Sequence, residues 1–204
     1  MTTRIELSDT AVQYAIEDLA NLEAIPAIDK AHILLVANGD KPSMHTALFT
    51  DPALVKDIQQ PDIDSMNKLV RIIADLKLEY EVETQLSTEQ VNGTEMHSTR
   101  ILFYIARRMS VVNQLIGARK KGDIEREGSL LGFPKSAVDA YISDNVIEVS
   151  HWPTSTEHVT ADEMKFLNHM ISNDNWKDEV KYLPEYARTT RLISPKIYDQ
   201  CVSS

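Results

Sequence analysis

Two short H-x-T patterns contain the residues of this chain whose types and spacing could do acid–base chemistry. One copy occupies residues 97–99 and the other residues 158–160. Imidazoles titrate near neutral pH, and two opposed imidazoles can deliver and remove protons across one bond. The first copy closely precedes the apolar run 101–106, which predicts a strand buried on both faces. The candidate catalytic residues are therefore His97, Thr99, His158 and Thr160.

The pair resembles the H-x-[ST] signature of the two-histidine phosphoesterases. The resemblance implies a phosphodiesterase whose histidines act as general base and general acid, while the hydroxyls of Thr99 and Thr160 hold phosphate oxygens. The second copy has another interpretation, because Thr160 and Glu163 form a T-x-x-E capping box ahead of an apolar helical stripe. The family needs this threonine on a strand, whereas Thr160 is predicted to begin a helix. A coincidental match is therefore the alternative to catalysis.

Other catalytic and cofactor motifs are missing from the sequence. Neither G-x-x-x-x-G-K-[ST] nor G-x-G-x-x-G is present, and the stretch GSLLG does not match G-x-S-x-G. We expect the histidines to lie on the surface. The alternative is a metal site built from histidines and a carboxylate. The residues concerned are His151, His158, His169, Glu157 and Asp162. The sequence predicts no metal site and no cofactor.

The stretch GSLLGFPKSAVDAYI, residues 128–142, predicts a turn between two helices. A short helix is expected over 123–131, and Gly132 suits the left-handed position that ends a helix. Pro134 fits the first turn of the next helix, where its missing N–H costs nothing. Phe133 can fill a core pocket. The pattern favours a structural turn over a site.

The segment ILFYIARRMSVVNQLIGARKKGDIEREGSLLGFPKSAVDAY resembles part of a poorly characterised prokaryotic family. In that family a strand and a helix lead into Leu-Gly-Tyr-Pro-x-Cys-Cys-Val and an aromatic residue. The matching positions are Leu131, Gly132, Phe133, Pro134, Val138 and Tyr141. Ser136 and Ala137 replace the two cysteines, so no thiol or metal chemistry carries over. The resemblance implies kinship of fold and no activity.

The composition indicates a globular protein with a sizeable core. The chain has 204 residues, of which 43% are apolar and 25% charged. Its 21 Lys+Arg and 31 Asp+Glu give a net charge of −10, which argues against a surface that binds nucleic-acid phosphates. No apolar run is long enough to span a membrane, and the first residues do not form a signal peptide. The single cysteine, Cys201, permits no internal disulfide and is expected in a mobile tail. We expect a soluble, cytoplasmic protein with neither a membrane nor a nucleic-acid partner.

Apolar periodicity predicts the order of elements. The sequence predicts a helix that begins at Ser8 or Asp9 and stops before Pro26, a hairpin, a further helix, two strands and a helix that ends at Lys121. The hairpin joins strands at 33–36 and 44–49 through the Asn38-Gly39 turn. The predicted fold is α/β or α+β, with a mixed sheet of three to four strands covered by helices over residues 1–121. A mainly helical part, 122–204, is expected to pack with it as one unit.

The absence of a coherent catalytic constellation favours binding over catalysis. Aromatic residues are enriched at binding hot spots, although large aromatic side chains also fill cores. The candidate binding residues are Trp152, Trp176, Tyr182 and Tyr186. We therefore predict a binding or adaptor protein whose ligand is a protein or a small molecule, with its oligomeric state open. The phosphodiesterase is the alternative.

Overall fold

The computed structural model describes residues 5–50, 62–91 and 94–203, which include a three-stranded sheet. Strand β1 (Ser43–Phe49) and strand β2 (Glu79–Val91) both pair antiparallel with the central strand β3 (Thr94–Ala106). The residues 101–106 of β3 are buried, as its continuous apolar run predicts. The α+β class, with helices over a three-stranded sheet, is confirmed, and both described pairings are antiparallel.

The predicted strand at 33–36 is wrong, because these residues lie in helix α2 (Ala27–Asn38). Every side chain of α2 from Lys30 to Ala37 is buried, so the helix has no polar face and its sequence shows no helical period. Gly39 has a φ of 88° and ends the helix in a left-handed cap instead of turning a hairpin. The strand predicted at 44–49 is confirmed as β1, with β3 as its partner.

Two capped helices pack on the same side of the sheet as α2. Helix α1 (Thr10–Ala20) begins at Asp9, whose carboxylate accepts the Ala11 N–H at 3.0 Å, and helix α3 (Ile63–Asp75) is capped by Asp62 in the same way. Helices α1 and α3 contact each other and bury their apolar stripes in the main core. Helix α1 confirms the prediction from its cap and periodicity, and α3 confirms the helix predicted from periodicity.

Three further helices cover the opposite face of the sheet. They are α4 (Met109–Lys121), α5 (Ile124–Leu130) and α6 (Lys135–Ile142). Leu102 and Tyr104 of β3 pack there against Val112 and Leu115 of α4 in a second, smaller core. Glu83 of β2 accepts a hydrogen bond from the Tyr104 hydroxyl at 2.8 Å.

The outer part of the β2–β3 hairpin extends past β1. Strand β1 pairs with β3 only from Arg100 to Ala106, whereas β2 continues its pairing from Gln85 to Val91. Leu86 of β2, in this outer part, is consequently 64% exposed. The strand is confirmed, but the core does not reach this residue.

The C-terminal part is helical and shares the main core. A 3₁₀ turn (Val149–His151) is followed by α7 (Ala161–Met164), α8 (Trp176–Glu179), α9 (Leu183–Ile193) and α10 (Pro195–Val202). Helices α9 and α10 contact α2, and Cys201 is only 1% exposed within α10. The expected mobile tail around Cys201 is therefore wrong. In the ranges that the structure describes, no helix has the length and apolar character to cross a membrane.

Candidate ligand cavity

A cavity of about 520 Å³ lies between β1, the corner formed by α4, α5 and α6, and the segment 168–170. Its apolar wall consists mainly of Ile124, Leu131, Phe133, Val138, Tyr141 and Met170. Its polar wall consists of His45, Arg119, Glu127, Asn168 and His169. Ile124 and Tyr141 are 42% and 55% exposed, whereas His169 is 7% exposed. An apolar opening therefore leads to a polar interior.

The corner between α5 and α6 is the Leu-Gly-Phe-Pro turn, and it forms one wall of the cavity. Gly132 has a φ of 76°, and a Cβ there would stand 2.9 Å from Pro42 Cδ. The Phe133 N–H donates to the Gly128 carbonyl at 2.9 Å. At Gly128 a Cβ would stand 2.5 Å from Val138 Cγ2, so glycine lets the two helices approach. The predicted turn is confirmed, and its place in the cavity wall is an additional role.

Three polar side chains meet where the cavity contacts the sheet. Arg119 Nη1 on α4 donates to Glu127 Oε1 on α5 at 3.0 Å, and both side chains are largely buried. Within the described ranges, the His45 imidazole on β1 has no hydrogen-bond partner. Burial, with a smaller contribution from nearby cations, lowers the pKa of His45 to about 4. The imidazole is therefore neutral at pH 7 and offers one donor and one acceptor.

His169 lies between two aromatic rings on the interior side of the cavity. Its ring stacks on Phe133 and Tyr182, with centroids 5.0 and 6.0 Å apart, and its Nδ1 is 3.1 Å from the Tyr182 hydroxyl. Burial raises the pKa of Tyr182, so the hydroxyl keeps its proton. Burial also lowers the pKa of His169 to about 4, so the ring is neutral at pH 7. Its Nε2 is buried and has no partner among the described residues.

Asn168 is a further wall residue with a polar atom that has no described partner. Its Nδ2 lies 2.8 Å from His32 Nδ1, while its Oδ1 is buried and has no partner in the described part of the chain. Buried polar atoms are normally hydrogen-bonded, so an exception needs an explanation. Asn168 Oδ1 and His169 Nε2, on neighbouring wall residues, are therefore two buried polar atoms without a described partner.

Lys41 is a buried cation directly behind the cavity wall. It is 2% exposed, and its Nζ donates to the Leu131 carbonyl and lies 5.0 Å from the centre of the Phe133 ring. Among the described residues, no carboxylate lies within ion-pair distance of this ammonium. Burial lowers the pKa of Lys41 to about 8, so the side chain still carries its charge at pH 7.

The four aromatic residues predicted to bind a partner all contact the main core. Tyr186 is 8% exposed, and the others are half-buried against it. Trp152 Nε1 also donates to the Ile147 carbonyl at 3.1 Å, and Trp176 begins α8. Packing accounts for these positions, and a binding role for Trp152, Trp176 and Tyr186 stays a prediction. Tyr182 reaches the cavity indirectly, through its hydrogen bond to His169.

The first H-x-T copy lies on β3, in the outer part of the hairpin. His97 is 8% exposed, and its Nδ1 is 3.1 Å from the Thr88 hydroxyl on β2. The backbone N–H of Thr99 donates to Thr50 Oγ1 at 2.8 Å. Cross-strand packing therefore accounts for the first copy.

The second copy lies in the exposed loop ahead of α7. The His158 side chain is 67% exposed, and Thr160 and Glu163 form the predicted capping box, with Thr160 N–H donating to Glu163 Oε2 at 2.7 Å. No hydrogen bond, ion pair or ring contact in the described ranges joins His158 to His97. Catalysis by the H-x-T pair stays a prediction that no described contact favours.

No group of three or more His, Cys, Asp or Glu side chains in the described part of the chain is placed to hold a metal ion. In comparisons with known proteins, no family model, no curated protein and no solved structure matches the chain. The resemblance of the segment around residues 131–134 to a prokaryotic family thus stays a prediction.

Proposed function

We propose that this chain is a binding protein for a small amphipathic molecule held in the cavity behind the Leu-Gly-Phe-Pro turn. The observation that carries the proposal is the cavity of about 520 Å³ with an apolar opening and a polar interior. Sites for small molecules typically have volumes of about 300–1,000 Å³, apolar walls and a few polar groups that fix orientation.

The unused polar atoms support a ligand with a hydrogen-bonding head. The His45 imidazole in the wall presents a donor and an acceptor that have no partner in the described residues. Asn168 Oδ1 and His169 Nε2 also lack a described partner, but both atoms are buried within the wall. The half-exposed Ile124 and Tyr141 would contact the apolar part of the ligand near the opening.

The chemistry of the wall supports binding in preference to covalent catalysis. As described, the wall carries no serine, threonine, cysteine or lysine side chain that a neighbouring base could activate. Arg119 and Glu127 are already paired with each other, and both histidines of the wall are neutral at pH 7. The cytoplasmic location and the lack of a nucleic-acid partner continue as predictions from composition.

Fluorescence of the neutral dye Nile red, which increases in apolar surroundings, tests the proposal. We expect saturable binding at one site, and we expect Ile124→Trp to weaken it about tenfold because an indole there narrows the opening. The control is Ile63→Trp, since Ile63 is 59% exposed on α3 and does not contact the cavity. Absence of saturable binding, or equal losses in the two variants, would contradict the proposal.

A further inference from the structure

The charges around the cavity have an uneven balance. Three cations lower the pKa of His45 through electrostatic repulsion of its protonated form. They are Arg119 in the wall, Arg100 on the same face of the sheet and Lys41 behind the turn. Of the described carboxylates, Glu127 is paired with Arg119, and Glu83 is already hydrogen-bonded to Tyr104. A local excess of positive charge in a chain with a net charge of −10 favours an anionic ligand at this place.

The Arg119 guanidinium can bind a second carboxylate. Of its five N–H donors, Nη1 alone has a partner among the described residues, the Glu127 carboxylate. A guanidinium holds a carboxylate through two parallel, charge-assisted hydrogen bonds, which are stronger than bonds between neutral groups. Glu127 is therefore both an anchor for Arg119 and a competitor for any anion that binds it.

Lys41 is a second cation beside the cavity, in addition to Arg119. Its ammonium is buried without a carboxylate and contacts two residues of the wall, Leu131 and Phe133. A buried charge without an opposite charge beside it is costly, and an opposite charge brought nearby reduces that cost. A carboxylate in the cavity would supply this charge across the wall.

We propose that the ligand is a small monocarboxylic acid with an apolar body, whose carboxylate binds Arg119 beside His45 within the field of Lys41. This inference rests on the proposed function, since it names the ligand class of the same cavity. The apolar body extends past Val138 toward the half-exposed Ile124 and Tyr141.

Competition between Nile red and two matched compounds tests the ligand class. Octanoate and octanamide have the same apolar chain, but only octanoate is charged at pH 7. We expect octanoate to displace the dye at a concentration at least about tenfold lower, because hydrogen bonds to charged groups are the stronger ones. Equal potency, a preference for octanamide, or no displacement by either compound would overturn the inference. Saturable dye binding would leave the proposed function standing in each of these cases.

Two charge variants, each with a matched control, test the residues. Glu127→Gln frees Arg119 and should tighten octanoate binding about fivefold. The control Glu125→Gln should change octanoate binding less than about twofold, because Glu125 is exposed on the same helix. Lys41→Met should weaken octanoate binding about fivefold, in contrast to Lys120→Met on the surface of α4. Octanamide binding should change in neither case. A parallel change for octanamide, or octanoate affinities that match the controls, would overturn the assignment.

Discussion

The buried ammonium of Lys41 predicts a reversal of relative stability with pH in the variant Lys41→Met. The side chain is 2% exposed, and burial lowers its pKa from 10.5 to about 8. Each unit of pKa difference between folded and unfolded states corresponds to about 1.4 kcal/mol, so holding this charge inside costs about 3 kcal/mol. Methionine keeps a long apolar chain without the charge, but it leaves the Leu131 carbonyl without its donor, at a cost of about 1 kcal/mol.

The direction of the pH effect follows from proton binding in the two states. Below about pH 8 the folded and unfolded chains both hold the lysine proton, so the full penalty is present. Between about pH 8 and 10.5 the folded chain has lost this proton and the unfolded chain keeps it, so the contribution of Lys41 to stability rises with pH. Near pH 10.5 the penalty has largely disappeared.

Urea unfolding of both proteins at pH 7 and pH 10.5 measures the reversal. We expect Lys41→Met to be more stable than the wild type by about 2 kcal/mol at pH 7 and less stable by about 1 kcal/mol at pH 10.5. Other titrating groups are common to both proteins and cancel in the difference. Lys120→Met is the control, because an exposed lysine should give little change at either pH. A difference between wild type and Lys41→Met that is the same at both pH values would refute the reasoning.

Two further predictions concern backbone conformation and thiol burial. Gly132→Ala should lower the free energy of unfolding by about 2 kcal/mol, because φ is 76° and the added Cβ meets Pro42. Gly117→Ala should raise the free energy of unfolding by about 0.5–1 kcal/mol, because Gly117 lies inside α4 and a Cβ there meets no atom within 4 Å. Urea denaturation distinguishes these results, and equal effects would contradict the assigned left-handed turn. Cys201 is 1% exposed, and burial raises the pKa of its thiol to about 12. At pH 8 the thiol should therefore react with a disulfide reagent far more slowly in the native protein than in the urea-unfolded protein. Equal rates in the two states would contradict its burial.

The elements that the sequence predicts well are those whose signals are local. The cap and apolar stripe of α1, and the apolar stripe of α3, are each contained within one segment, so the pattern predicts both helices without knowledge of their neighbours. The run at 101–106 also predicts its own burial, because a strand covered on both faces needs apolar residues at every position.

Helix α2 shows why a similar run can mislead. Its segment Ile33–Leu34–Leu35–Val36 has the composition of a buried strand, and Asn38-Gly39 resembles a hairpin turn. Helices α9 and α10, the sheet and α1 surround it, so all its faces are apolar and periodicity carries no information. The burial of every side chain from Lys30 to Ala37, which distinguishes this helix, is visible only in the folded structure.

The candidate site could not be predicted from the sequence because tertiary packing alone brings its residues together. His45 comes from β1, Arg119 from α4 and Glu127 from α5, while Asn168 and His169 lie in a segment far along the chain. No spacing relates these positions. The cavity that they line, on which the proposal depends, exists only in the folded arrangement.

A structural explanation for every residue of a motif does not exclude a function for that motif. The left-handed Gly132 makes the stretch 131–134 a turn, and the same conformation places the Leu131 carbonyl against Lys41 and the Phe133 ring against both Lys41 and His169. A turn that is built this tightly holds a buried cation and a neutral imidazole at fixed positions beside one cavity. Rigid placement of polar groups is what ligand recognition requires, since it reduces the entropy lost on binding. The turn and the site are therefore two consequences of one backbone geometry.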